Sequence, residues 1–149
     1  MIHLEPITRE NLDAVLALRV REDQRGFVST PAESLAQAYV YRETAFPFAI
    51  CAGGTVVGFI MLGYYEAKHY YTLWKLLIDR EYQGRGYGRE ALRLGIDFLR
   101  DERRAEAIYT GVSPGNAAAK ALYASCGFQF TGVFEDNMEE MRLVCKGGQ

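Results

Sequence analysis

Cysteine and histidine are scarce in this chain, and each scarcity argues against a class of protein. Three cysteines (Cys51, Cys126 and Cys145) cannot form a closed disulfide framework, and the start of the chain does not read as a secretory signal. A reducing, cytoplasmic setting is the expectation. The only histidines, His3 and His69, lie far apart without cysteines at metal-ligand spacing, which argues against a metal site. No apolar run approaches the length of a membrane span, so no membrane partner is expected. Charge of one sign is not concentrated either: the net charge is −2 and the arginines are dispersed, which leaves no electrostatic footprint for nucleic acid. Mild acidity instead suits a cationic small molecule. With 49% apolar residues in 149, the chain can bury a full core as a single domain spanning 1–149.

The remaining chain is organised around residues 71–103. Leu73, Leu76, Leu77 and Ile78 form a nearly continuous apolar run, the mark of a strand covered on both faces. Ala91, Leu92, Gly95, Ile96 and Leu99 then recur at helical spacing. Between them lies Gln83-Gly84-Arg85-Gly86-Tyr87-Gly88, whose glycines allow positive φ and close approach of a ligand to the backbone. The unpaired N–H groups of the following helical turn favour an anion such as a diphosphate, and Arg85 and Arg89 can add charge. A Walker loop is excluded because Arg89 and Glu90 stand where it needs lysine and a hydroxyl. A dinucleotide fingerprint fits poorly, since Tyr109 to Val112 carry no acid.

Ile2 to Ile7 reads as a first strand and Thr8 as the cap of a helix bearing Leu12, Val15, Leu16 and Val20. Residues 21–29 have no periodicity and read as a loop. Thr30-Pro31 with Glu33 forms a capping box with proline at the first helical position, and Leu35, Ala38 and Tyr39 are the expected buried stripe. Gly53-Gly54 between Phe46 to Ala52 and Thr55 to Tyr65 predicts a hairpin, and Tyr71 to Asp79 continues the meander. Ala107 to Val112 is a short strand, Asn116 caps the next helix and Gly127 ends it. Phe128 to Phe134 and Met138 to Val144 form a last hairpin, followed by a tail at 146–149 expected to fray.

Two motifs carry a family resemblance. Gln-x-x-Gly-x-Gly at Gln83 to Gly88, preceded by Leu76-Leu-Ile-Asp79, resembles motif A of the GNAT superfamily of acetyl-CoA-dependent N-acetyltransferases. Asn116, Ala119, Leu122, Tyr123, Gly127 and Phe128 match its motif B. The resemblance covers about Val56 to Val144 with specific motifs and the preceding residues more loosely. A softer pattern, Gln24-x-x-Phe27-Val28, Ser34-Leu35-x-x-Ala38 and Tyr82-Gln83-Gly84, looks most like the bacterial diamine and spermidine/spermine acetyltransferases. The fold implied is a mixed α/β one: a twisted, mostly antiparallel sheet with helices on both faces and one parallel β-α-β pair splayed for acetyl-CoA. Pantetheine would pair with backbone near Leu77 and Ile78, and the diphosphate would rest on Gln83, Gly84, Arg85, Gly86, Tyr87, Gly88 and Arg89. Asn116, Lys120 and Tyr123 would complete the cofactor site.

Transfer to an amine needs a neutral amine, an oxyanion donor and an acid for the thiolate. Tyr123 matches the tyrosine that supplies the acid in GNAT enzymes, and a phenol of ordinary pKa about 10 can protonate a thiolate as charge develops. The backbone N–H of Ile78 or Leu77 is the oxyanion donor. Asn116 either bonds pantetheine or caps its helix. The base is open: polyamine-acetylating relatives carry an acid nine positions before Gln83, and here that position is Trp74, beside Lys75. Glu22, Asp23, Glu33 and Glu66 remain, with Glu22 chosen first, and Tyr64 or Tyr65 as wall residues. The expected acceptor is a small polyamine, with an aminoglycoside, an amino acid or a protein N-terminus as alternatives. A non-catalytic acyl-CoA-binding protein is the contrasting class, and a homodimer built on the aromatic hairpins is compatible with either.

Overall fold

The computed structural model describes residues 1–145. The tail at 146–149, expected to fray, lies outside the described residues. The strands are β1 (Ile2–Pro6), β2 (Ala45–Ala52), β3 (Thr55–Tyr65), β4 (Tyr70–Ile78), β5 (Ala107–Val112), β6 (Gln129–Glu135) and β7 (Met138–Val144). They form one sheet in the order β1-β2-β3-β4-β5-β7-β6, antiparallel throughout except for the parallel pair β4 and β5. The helices are α1 (Leu12–Leu16), α2 (Pro31–Val40), α3 (Tyr87–Asp97) and α4 (Ala117–Ser125). This is the mixed α/β fold expected.

The two faces of the sheet bury separate clusters, which is why its central strands β3 and β4 carry apolar residues on both faces. Ile60 and Leu62 of β3 pack with Ala91, Leu92 and Ile96 of α3, while Phe59 and Met61 face Val15, Leu18 and Ala38 from the α1–α2 side. All five residues of the expected α3 stripe are buried. Gly95 lets α3 lie close, since a Cβ there would meet Ile60 and Leu62 side chains at 3.1 and 3.3 Å.

Two bulges shift this alternation. Between Ile50 and Cys51 the register leaves Val57 of β3 unpaired, and Val57 turns to the α3 face with the even-numbered residues. Between Met61 and Leu62 it leaves Trp74 of β4 unpaired. Leu73 therefore shares a face with Leu76 and Ile78, whereas Trp74 and Leu77 share the opposite one.

Thr30 caps α2 as expected: its Oγ1 accepts the Glu33 N–H at 3.1 Å and Glu33 Oε1 accepts the Thr30 N–H at 3.0 Å. Thr8 and Asn11 make the equivalent reciprocal pair ahead of α1. Several local expectations are corrected. Leu12 and Leu16 are exposed because α1 is little more than one turn, and Val15 and Leu18 do the packing instead. Tyr39 of α2 is also exposed; Pro31, Ser34 and Ala38 form the buried face. The loop at 21–29 contains a 3₁₀ turn at Glu22–Gln24. His3 does have a cysteine neighbour, since β1–β2 register sets it opposite Cys51. His3, Glu5 and Cys51 place their polar atoms within 4.8 Å and hydrogen-bond among themselves, with His3 Nε2 to Glu5 Oε2 at 2.6 Å. Burial, then the Glu5 charge, push the Cys51 thiol up to about 11, so it stays protonated.

Candidate active site

β4 and β5 pair only at Tyr71 with Ile108 and Thr72 with Tyr109. Thr110 Oγ1 donates to the Leu73 carbonyl at 3.0 Å, and beyond that point the strands no longer pair. The opening continues into a cleft of about 880 Å³ bounded by β4, the glycine loop, α3 and α4. Of the residues expected from sequence to bind the cofactor, Leu77, Ile78, Gln83, Gly84, Gly86, Tyr87, Gly88, Arg89, Asn116 and Tyr123 line this one cleft.

Strand pairing distinguishes the two amides left open by the sequence. Asp79 N–H donates to Val57 of β3 at 2.8 Å, so by alternation the Leu77 N–H also points to β3. The Ile78 N–H and C=O point the other way, into the opening. The Ile78 carbonyl accepts Gln83 Nε2 at 2.8 Å, which leaves its N–H facing the cleft. Gly58 stands opposite Ile78, where a Cβ would come within 2.5 Å of the Leu77 carbonyl oxygen. No other residue fits behind this segment.

The glycine loop uses positive φ at two positions, Gly84 (80°) and Gly86 (82°), and Gly88 is already helical. Gly86 is the N-cap of α3 and no side chain caps that terminus, so its first-turn amides remain available to a bound anion. Gln83 is held in a reciprocal amide pair: Gln83 Nε2 donates to Gln24 Oε1 at 2.8 Å and Gln24 Nε2 to Gln83 Oε1 at 3.2 Å. The 3₁₀ turn and the loop are thereby clasped across the mouth of the cleft.

Asn116 caps α4, its Oδ1 accepting the Ala119 N–H at 3.2 Å, while still lining the cleft. Tyr123 touches the open cleft, yet its phenol is packed closely enough that desolvation pushes its pKa up to about 12 against a lesser pull from Thr110. It is a proton donor at neutral pH. Three residues are not brought to the cleft. Arg85 lies over the Tyr82 ring at 5.4 Å and donates to the Glu81 carbonyl; Lys120 pairs with Glu139 at 3.0 Å; Glu22 pairs with Arg25 at 2.8 Å and its side chain is 80% exposed. Asp23 is likewise exposed and paired with Arg21, and Glu33 lines the cleft while capping α2.

A second cleft of about 800 Å³ opens beside the first and shares Trp74, Lys75, Thr110, Gly111 and Met138 with it. Tyr64, Tyr65 and Glu66, foreseen as site residues, line it, together with Tyr41 and Tyr70. Glu135, Asp136 and Glu140 come from the last hairpin, which sequence reasoning treated only as structure. Its signal was the density of acids over residues 135–140, without the sheet order that sets β7 beside β5.

A splayed parallel pair, a glycine loop at an uncapped helix N-terminus and a half-buried tyrosine meet in this one cleft. The family model described as "Acetyltransferase (GNAT) family" matches residues 12–128, and the chain belongs to that family of acetyltransferases. It is 29% identical over 95% of its length to the spermine/spermidine N(1)-acetyltransferase of Bacillus subtilis strain 168, covering 97% of that protein. It is 38% identical to the N-alpha-acetyltransferase RimI of Mycobacterium tuberculosis over 55% of this chain and 51% of that one. Among solved structures, the spermidine N-acetyltransferase of Vibrio cholerae, in complex with CoA and spermine, superposes with a TM-score of 0.77 at 19% identity, covering 96% of this chain and 95% of that one. The PaiA N-acetyltransferase of Thermoplasma acidophilum, in complex with coenzyme A, gives 0.72 at 15% identity over 97% and 99%. These two likenesses show the shared fold. Both resemblances read from the motifs, to the family and to its polyamine branch, are supported.

Proposed function

We propose that this acetyltransferase moves the acetyl group of acetyl-CoA directly to a primary amine of a small polyamine, such as spermidine, spermine or a diamine. The observation that carries the reading is the pair of clefts meeting at the β4–β5 opening, one made for an anion and a thioester, the other for an aliphatic cation. Tyr64, Tyr65, Tyr70 and Trp74 offer faces for methylenes and ammonium groups, and Glu66, Asp136 and Glu140 offer charge. The full-length likeness to a spermine/spermidine acetyltransferase and the Vibrio structure with spermine point the same way.

In this reading the diphosphate rests on the loop and first-turn amides of Gly84 to Arg89, with Gln83 shaping the loop. The Ile78 N–H holds the thioester oxygen as negative charge gathers there, and it needs no reorganisation because the strand fixes it. Tyr123 gives its proton to the departing thiolate. Arg85 and Lys120 act through the loop and through Glu139 of β7 rather than by reaching the cleft, and Glu22 supports the turn that Gln24 clasps. A cytoplasmic setting and a homodimer belong to the same proposal. β6 at the sheet edge exposes Phe130, Val133 and Phe134 for such a pairing, which sedimentation analysis can test. Among the described residues no helix is long and apolar enough to cross a membrane.

The test is release of CoA thiol from acetyl-CoA across spermidine, spermine and putrescine, set against amino acids, short peptides and an aminoglycoside. Turnover selective for polyamines supports the proposal. Selectivity for another amine reassigns the second cleft, and tight acetyl-CoA binding with no turnover on the whole panel overturns the catalytic reading.

A further inference from the structure

The second cleft is rich in carboxylates, yet an amine stands at its inner end, where the acceptor nitrogen must meet the acetyl carbon. Lys75 lines both clefts. The bulge at Trp74 puts two consecutive side chains of β4 on the α2 face, and from there Lys75 Nζ donates to Ser29 Oγ at 2.7 Å. Lys68 and Lys120 are paired with Glu135 and Glu139, whereas Lys75 has no carboxylate within ion-pair reach among the described residues. Desolvation lowers its pKa, and the charge of Glu33 on α2 opposes that shift only in part. The other neighbours that join it at the meeting of the clefts, Thr110 and Gly111 of β5 and Met138 of β7, carry no charge.

We propose that Lys75, which lines both clefts where they meet, is the proton acceptor of acetyl transfer. This rests on the acetyl-transfer reading above. The arriving ammonium first gives one proton to water; the lone pair so freed on the acceptor nitrogen forms the new N–C bond while the carbonyl π pair moves to oxygen, against the Ile78 N–H. The nitrogen, now positively charged and bonded to an electron-poor carbon, is far more acidic than a free ammonium, and it passes its proton to the neutral Lys75 amine. Collapse restores C=O, the C–S pair leaves on sulfur, and sulfur takes the Tyr123 proton. Lys75 then releases one proton to the open cleft and Tyr123 regains one. Amine plus thioester thus become amide plus thiol. A permanently charged group at this point would repel the incoming ammonium, whereas desolvation shifts Lys75 toward its neutral form.

The experiment has two arms. Trace labelling of the intact protein with acetic anhydride across pH, followed by peptide mapping, needs no acceptor and so is independent of the polyamine reading. Lys75 should become reactive at lower pH than Lys68, whose pKa its Glu135 partner raises; labelling with the same pH midpoint as Lys68 overturns the proposal. In turnover assays, Lys75→Arg and Lys75→Met should each lower kcat about a hundredfold, with acetyl-CoA affinity retained and the acid limb of the pH profile lost. Lys75→Glu should restore part of kcat and move that limb toward the carboxylate range. Retention of the wild-type kcat and limb by Lys75→Arg overturns the proposal, because arginine keeps the charge and cannot accept a proton.

Discussion

The two clefts are built from different materials. The first is made largely of backbone: the Ile78 amide, the amides of the glycine loop and the uncapped start of α3. The second is made largely of side chains from five separate stretches, around Tyr41, Tyr64 to Tyr70, Trp74-Lys75, Thr110 and the last hairpin. A backbone site can be lost only by changing where the chain runs, whereas a side-chain site changes with any one of its residues. Substitutions should therefore alter the second cleft more readily than the first.

The largest test of this division is Tyr123→Phe, the one side chain on the donor side with a chemical task. It should lower turnover at least a hundredfold while acetyl-CoA affinity is retained. Equal losses in both would place Tyr123 in binding. At high pH the same residue should limit stability. Its pKa is about 12 folded against 10.0 as the ordinary value, so the folded state holds the proton more tightly. The contribution is fully present below pH 10 and is lost as pH rises from 10 to about 12, at up to about 1.4 kcal/mol per pH unit. Urea denaturation of the wild type and Tyr123→Phe over this range should differ in slope.

Gly86→Ala tests the backbone half. No atom lies within 4 Å of the added Cβ, so its cost is the left-handed φ of 82°, about 1 kcal/mol. The Michaelis constant for acetyl-CoA should rise several-fold with that for the amine unchanged. Glu66→Gln with Glu140→Gln tests the other half: the amine's constant should rise about two- to fivefold per charge, more at low salt, with acetyl-CoA unaffected. If either pair of changes moves both constants, the division between the halves fails.

The same contrast explains what could be read from sequence. That the glycine loop, Asn116 and Tyr123 meet at one cleft was legible because short-range pattern and backbone geometry dictate their placement together. The α3 stripe was legible because a long helix buries a periodic face. Short α1 misled the reading at Leu12 and Leu16, since one turn is too little for periodicity to decide which residue packs. Glu140 and Asp136 were missed because their place depends on β7 lying between β5 and β6. Gln24 was part of a noted pattern, but its bond to Gln83 spans 59 residues and has no local signature.

The bulge at Trp74 gives positions 74 and 75 joint custody of the opening. A strand in strict alternation would show one of them to the clefts and hide the other beneath the sheet. Here both side chains face the clefts, so a change of residue at either position alters the lining of the opening without any strand changing register.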